Sequence, residues 1–191
     1  MNIASIVAGA FERARAAKVK ASERGALHAE RASAWVEALC EQFRRCFQDE
    51  PDVRVFSKHY YGNRADFGLN ELLYDIAVCR VGTVTSSANK RTLLYVREAL
   101  WQVESEFARD GRQAVKDFNK LVLGSAANKL FVGPQVHDCQ RFLDVIAPAA
   151  KCCTGNVYAA LVPHPDSWDS NPPKSPAWRF EEGGWISIGE K

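Results

Sequence analysis

The chain has 191 residues, enough to bury a full core as one domain, and 47% apolar with 25% charged residues is the balance of an ordinary folded protein. A net charge of +2 does not advertise nucleic-acid binding and does not exclude a locally basic groove. No repeat or low-complexity segment interrupts the sequence, and the six cysteines show neither a C-x-x-C pair nor zinc-ligand spacing.

The opening "MNIASIVAGAFERARAAK" holds an apolar patch with no basic residue before it, too short to span a bilayer. It reads as the start of an amphipathic helix. With no secretory signal, a cytoplasmic, reducing compartment and no membrane partner are expected. Helical spacing continues from Ala4 to Phe47, with a break near "SERG". Its second part sets Leu27, Ala32, Trp35, Val36, Leu39, Phe43, Cys46 and Phe47 on one stripe. "QDEPD" ends it, because Pro51 disfavours helix at the residue before it.

"VRVFSKHYY" (53–61) alternates as a strand does, and "GNRADFG" reads as a turn or loop. "KHYYGNR" mixes cations and aromatics, a composition suited to contacting a nucleic-acid backbone and equally that of an ordinary turn. "LNELLYDIAVCRVGTV" is an apolar run interrupted by Asp75, with Cys79 as a small core residue. "KRTLLYVREALWQVESEF" gives the next strand, strongest from Ala99 to Phe107. Helical period returns in "ARDGRQAVKDFNKLVLGSA", with Ala114, Phe118, Leu121, Val122 and Ser125 on one side. "KLFVGP" is a short buried strand, "QVHDCQRFLDVIAPAA" a helix and "NVYAALVPH" a strand. The tail, 163–191, is rich in Pro, Ser and Gly and holds three of the five tryptophans. This order predicts an α/β fold with a mixed central sheet flanked by helices.

The acids in these strands need an explanation. Strand alternation puts Glu104 and Glu106 on one face, about 6.7 Å apart, and Asp75 sits in the preceding strand, which lies about 4.8 Å away if the two pair. Buried acids of like charge are costly without a partner. A divalent cation with oxygen ligands would hold them together. The plain alternative is a salt bridge from Arg91, Arg97 or Lys116. His28, His59, His137 and His164 are dispersed, and no pair has ligand spacing.

A helix, three strands with an acid in the second and "WQVESEF" in the third, then a helix and a strand resembles the PD-(D/E)XK nuclease superfamily. "NELLYDIAV" resembles its second-strand motif and "DFNKL" the start of the helix that follows. The likeness covers residues 22 to 133. It implies a restriction-endonuclease-like α-β-β-β-α-β core: a single domain 1–191 with N-terminal helices in 1–50, a catalytic core in 53–162 and a Pro/Trp-rich extension in 163–191. It implies hydrolysis of phosphodiester bonds in nucleic acid, with DNA the expected substrate, Mg²⁺ or Mn²⁺ as cofactor, and a homodimer as a common assembly.

Asp75 and Glu104 stand where the family's metal ligands stand. Glu71 joins them if "GLNELL" turns helically into the strand; an extended chain leaves it about 13 Å from Asp75. The sequence departs from the family at Glu106, which occupies the usual lysine position. This shifts water positioning to Glu106 itself, or charge supply to Lys120 in the next helix, although helical spacing sets Lys120 away from the apolar stripe. Arg109 and Lys116 are further candidates for meeting a phosphate. Two other classes compete with the nuclease: a non-catalytic protein on this fold whose acids form salt bridges, and an interaction module built on the aromatic tail.

Overall fold

The computed structural model describes residues 1–88, 90–169 and 175–189. Two helices lead the chain, α1 (Ile3–Arg15) and α2 (Arg24–Cys46). They are followed by β1 (Val53–Phe56), a single helical turn α3 (Arg64–Phe67), β2 (Ile76–Thr85) and β3 (Thr92–Ser105). Then come α4 (Gly111–Leu123), β4 (Asn128–Pro134), α5 (Cys139–Lys151), β5 (Asn156–Val162), a 3-10 turn (Pro165–Ser167), β6 (Ala177–Glu181) and β7 (Gly184–Ser187). No helix among the described residues is long and apolar enough to cross a membrane.

Among the described residues, seven strands form one sheet in chain order. β1, β2 and β3 are antiparallel neighbours, β3, β4 and β5 are parallel, and β5, β6 and β7 are antiparallel again. The parallel pairs require crossovers, and α4 and α5 supply them. The resulting architecture is α/β with a mixed, open sheet.

Alternation along the strands divides the core in two. Ile76, Val78, Trp101 and Val103 face α1 and α2, packing with Phe11, Trp35, Leu39 and Phe43. Ala77, Cys79, Phe131 and Ala159 face the other way, under Phe118, Leu121, Leu143 and Ile146 of α4 and α5. Glu104 lies between Val103 and Ser105 and so belongs to the α4 face.

Caps explain several boundaries. The Asn2 side chain accepts from the Ser5 N–H, that of Asp110 from Arg112, and that of Asp138 from Arg141. The interruption of the N-terminal helices spans residues 16–23, wider than a break at "SERG". In α2, Trp35, Val36, Leu39 and Phe43 are buried as the stripe predicts, but Cys46 is exposed and Arg31 is buried. Arg31 gives one N–H to the Pro165 carbonyl (2.6 Å) and pairs with Asp169 (2.7 Å). All six cysteines are free thiols.

Three expectations are corrected. The first strand stops at Phe56 rather than Tyr61, where the Tyr60 N–H turns back to the Ser57 carbonyl. "GNRADFG" contains the turn of α3. The tail is part of the sheet, through β6 and β7, and buries Trp168 edge-on against Phe11; its residues 170–174 and 190–191 lie outside the described ones.

The hairpin of β2 and β3 extends past the rest of the sheet. β1 reaches only to Arg80, with the Val81 N–H on the Asp52 carbonyl just before it, and β4 pairs only from Trp101, so 82–85 and 92–95 pair solely with each other. Register shifts at Val78/Cys79 and Arg80/Val81 mark the base of this arm. Val84, Leu93 and Tyr95 are exposed on it. Tyr95 lies across Gly82, where a Cβ would come within 2.9 Å of the ring.

Candidate carboxylate site

Asp75 immediately precedes β2 and shares the parity of Ala77 and Cys79, which puts it on the α4 face with Glu104. Its Oδ2 accepts the Ser105 N–H at 2.9 Å, so the side chain takes the place of a ladder bond where the strands end. Ser105 is held from the opposite face, its Oγ accepting the Trp35 indole N–H at 3.0 Å.

Glu104 is 2% exposed. Its Oε2 accepts from the Lys120 ammonium at 3.0 Å, while its Oε1 is buried with no partner among the described residues. The same ammonium pairs with Asp117 Oδ1 at 3.0 Å, one helical turn earlier on α4. Glu106 Oε1 accepts the Ala108 N–H at 2.6 Å, and the Glu106 carboxyl also meets that of Asp117. Asp117 thus joins Glu106 to the Lys120–Glu104 pair, and Asp75 acts on Glu104 and Glu106 as a like charge, but among the described residues no three of these carboxyls bring an oxygen each within 4.8 Å of the others.

Protonation follows from this arrangement. Burial pushes Glu104 up to about 7, the Lys120 hydrogen bond works against the rise, and the Asp75 charge adds to it. Burial also raises Asp75, offset in part by the Ser105 N–H and the Lys58 charge. Burial and the Asp117 carboxylate raise Glu106. Burial opposes the Asp117 charge, but its hydrogen bonds to Glu106 and Lys120 prevail and its pKa falls. Of the two, Glu106 is the member whose pKa is raised and Asp117 the one whose pKa is lowered. Burial disfavours the Lys120 ammonium, yet its bonds to Glu104 and Asp117 outweigh that and raise its pKa. The ion pair straddles the surface: the Lys120 side chain is 48% exposed and the Glu104 side chain 2%. Desolvation therefore falls mainly on the acid.

The fold brings Asp75, Glu104, Glu106 and Lys120 to one face. Glu71 is exposed and enters neither as helix nor as strand. A tight turn at Leu73, with the Tyr74 N–H on the Leu72 carbonyl at 2.6 Å, separates it from Asp75, on which it acts as a like charge. The cation beside Glu104 is Lys120 rather than Arg91, Arg97 or Lys116, and Arg97 instead lies 3.4 Å from Asp52. Asp117 was not among the residues predicted for the site, although its spacing of three from Lys120 was a usable sign. At the rim, His59 Nε2 lies 3.3 Å from Ser33 Oγ. Burial lowers the His59 pKa, and Asp75 and Glu71 act on it from nearby.

Comparison with family models, with curated proteins and with solved structures finds no match for this chain.

Proposed function

We propose that the chain is a metal-dependent phosphodiesterase acting on nucleic acid, with DNA the expected substrate, on a restriction-endonuclease-like core. The observation that carries this reading is Glu104 Oε1, a buried carboxylate oxygen without a partner among the described residues, on an acid that the Asp75 charge also acts on. An all-oxygen donor set of this kind suits a hard divalent ion, Mg²⁺ or Mn²⁺, and is a poor match for softer metals. Asp75 and Glu104 would hold the ion, with Glu71 at the mouth, too exposed for more than an outer contact. When bound, the ion supplies a water of lowered pKa and positive charge for the phosphate.

The remaining residues have separable tasks. Lys120, reaching in from α4, places an ammonium beside Glu104, which offsets the glutamate at the family's lysine position. Being half exposed, it can also meet a phosphate oxygen. Glu106 and Asp117 meet carboxyl to carboxyl with their pKa values pushed apart, a pair able to orient a water and take its proton.

The test is cleavage of single- and double-stranded DNA and RNA by purified protein with Mg²⁺ or Mn²⁺, with Glu104→Gln as control and calorimetric titration of the metal alongside. Metal-dependent cleavage that vanishes in Glu104→Gln is expected. The Lys120–Glu104 ion pair itself favours a second reading, a non-catalytic protein whose acids are already neutralised. Absence of both cleavage and saturable metal binding would establish that reading.

A further inference from the structure

A second cluster lies outside the carboxylate site. His28 on α2 meets His164 and Asp166, which follow β5. One donor atom from each of the three lies within 4.8 Å of the others. The two imidazoles are 5.0 Å apart and tilted by 55°. Their wide separation in the chain hides them from any reading of sequence spacing.

The two oxygens of Asp166 are used differently. Arg24 places both its Nε (3.0 Å) and Nη2 (2.7 Å) on Oδ2. Oδ1 faces His28 Nδ1 at 3.5 Å, too long for a strong hydrogen bond. It is close to the edge, about 3.3 Å, of a tetrahedron with metal bonds of about 2.0–2.1 Å. His164 Nδ1 lies 3.8 Å from Asp166 Oδ2 and accepts the Asp166 N–H at 3.2 Å. That nitrogen is therefore unprotonated, and its one lone pair would have to leave this 3.2 Å bond to ligate a metal. Side-chain exposure of 35% for His28, 20% for Asp166 and 10% for His164 leaves one side of the cluster open.

We propose that His28, His164 and Asp166 form a zinc site with an open fourth position, which fastens the segment after β5 to α2. Two imidazoles and one carboxylate are a donor set that favours zinc and its neighbours over Mg²⁺. Arg24 on the far oxygen is the kind of outer hydrogen bond that orients a ligating carboxylate. Arg24 and Arg109 act as positive charges on His164, so the surroundings select against an ion held by charge alone. The same segment already leans on α2 through Arg31 and sinks Trp168 into the core, so the metal would lock an existing contact.

The experiment uses untagged, chelator-stripped full-length protein, titrated with Zn²⁺ in the presence of millimolar Mg²⁺. One equivalent of zinc is expected to bind and raise the melting temperature, in wild type and in Glu104→Gln alike. His28→Ala and Asp166→Asn lose that equivalent and the thermal shift. His28 is partly exposed on a helix, so His28→Ala should fold, which circular dichroism confirms. Co²⁺ in place of Zn²⁺ should give the intense visible bands of a tetrahedral site. No saturable zinc binding in wild type, or binding unchanged in His28→Ala, overturns the site. Zinc that is lost in Glu104→Gln and kept in His28→Ala assigns the metal to the carboxylates and also overturns it. Loss of nuclease activity with zinc binding intact overturns only the proposed function.

Discussion

Glu104 carries a penalty of about 1–3 kcal/mol for its unpartnered oxygen alone. Its titration gives that penalty a pH signature in the metal-free protein. The carboxyl moves from an ordinary 4.5 to about 7 on folding, so the folded chain holds the proton more tightly than the unfolded one. Its contribution to stability is most favourable below the unfolded pKa and is lost as pH rises through the folded one. The difference in unfolding free energy between wild type and Glu104→Gln should therefore change by up to about 3 kcal/mol across that interval. Urea denaturation at a series of pH values measures it, and a flat difference would show that Lys120 fully compensates the acid. Lys120→Met removes the only ammonium bonded to Glu104 among the described residues. Because that ammonium is half exposed, a loss of about 1–2 kcal/mol at neutral pH is expected, below the range for fully buried pairs. The Lys120→Met/Glu104→Gln double variant should recover most of it in the same assay.

At the level of elements, the C-terminal segment behaves as core. Trp168 is 2% exposed, and its indole N–H donates to the Pro163 carbonyl at 2.9 Å. Trp168→Ala should cost about 3–5 kcal/mol, read as a lowered denaturation midpoint with unchanged m-value. Little of this was legible in the sequence. "AWRFE" and "GWIS" are short, and the Pro- and Gly-rich composition around them argues against strands. Yet Glu182 and Gly183 both take positive φ (49° and 85°), the conformation of a two-residue hairpin turn, and "EGG" was its one available sign. Of the predicted α4 stripe, Val122 is half-buried and Ser125 lies exposed beyond the end of the helix, but Ala114, Phe118 and Leu121 were legible, because burial on one face imposes its period directly. So was the shared face of Glu104 and Glu106, since strand parity is fixed. Lys120 was harder: helical spacing locates its Cα, whereas its long stem carries the ammonium back beneath the helix to Glu104.

Across the whole molecule, the parallel centre of β3, β4 and β5 is covered on both faces, and the antiparallel flanks need less cover. Asp75 and Glu106 lie at one end of this sheet, where β2 begins and β3 ends, the end from which Arg109 and the segment after β5 also emerge. The β2–β3 arm points the other way and has no such support. A two-stranded ribbon is marginal in water, and neither face of this one sits under a helix of its own. Stability is therefore graded along single strands. Amides of 82–85 and 92–95 should exchange with deuterium by a local opening that leaves the remainder folded, with protection factors far below those of 101–105. Trp168→Ala should lower protection at 101–105, which reports global unfolding, and leave the arm's exchange rates where they were. β3 would then be one continuous strand that belongs to two cooperative units, its outer half breathing on its own clock and its inner half keeping time with the core.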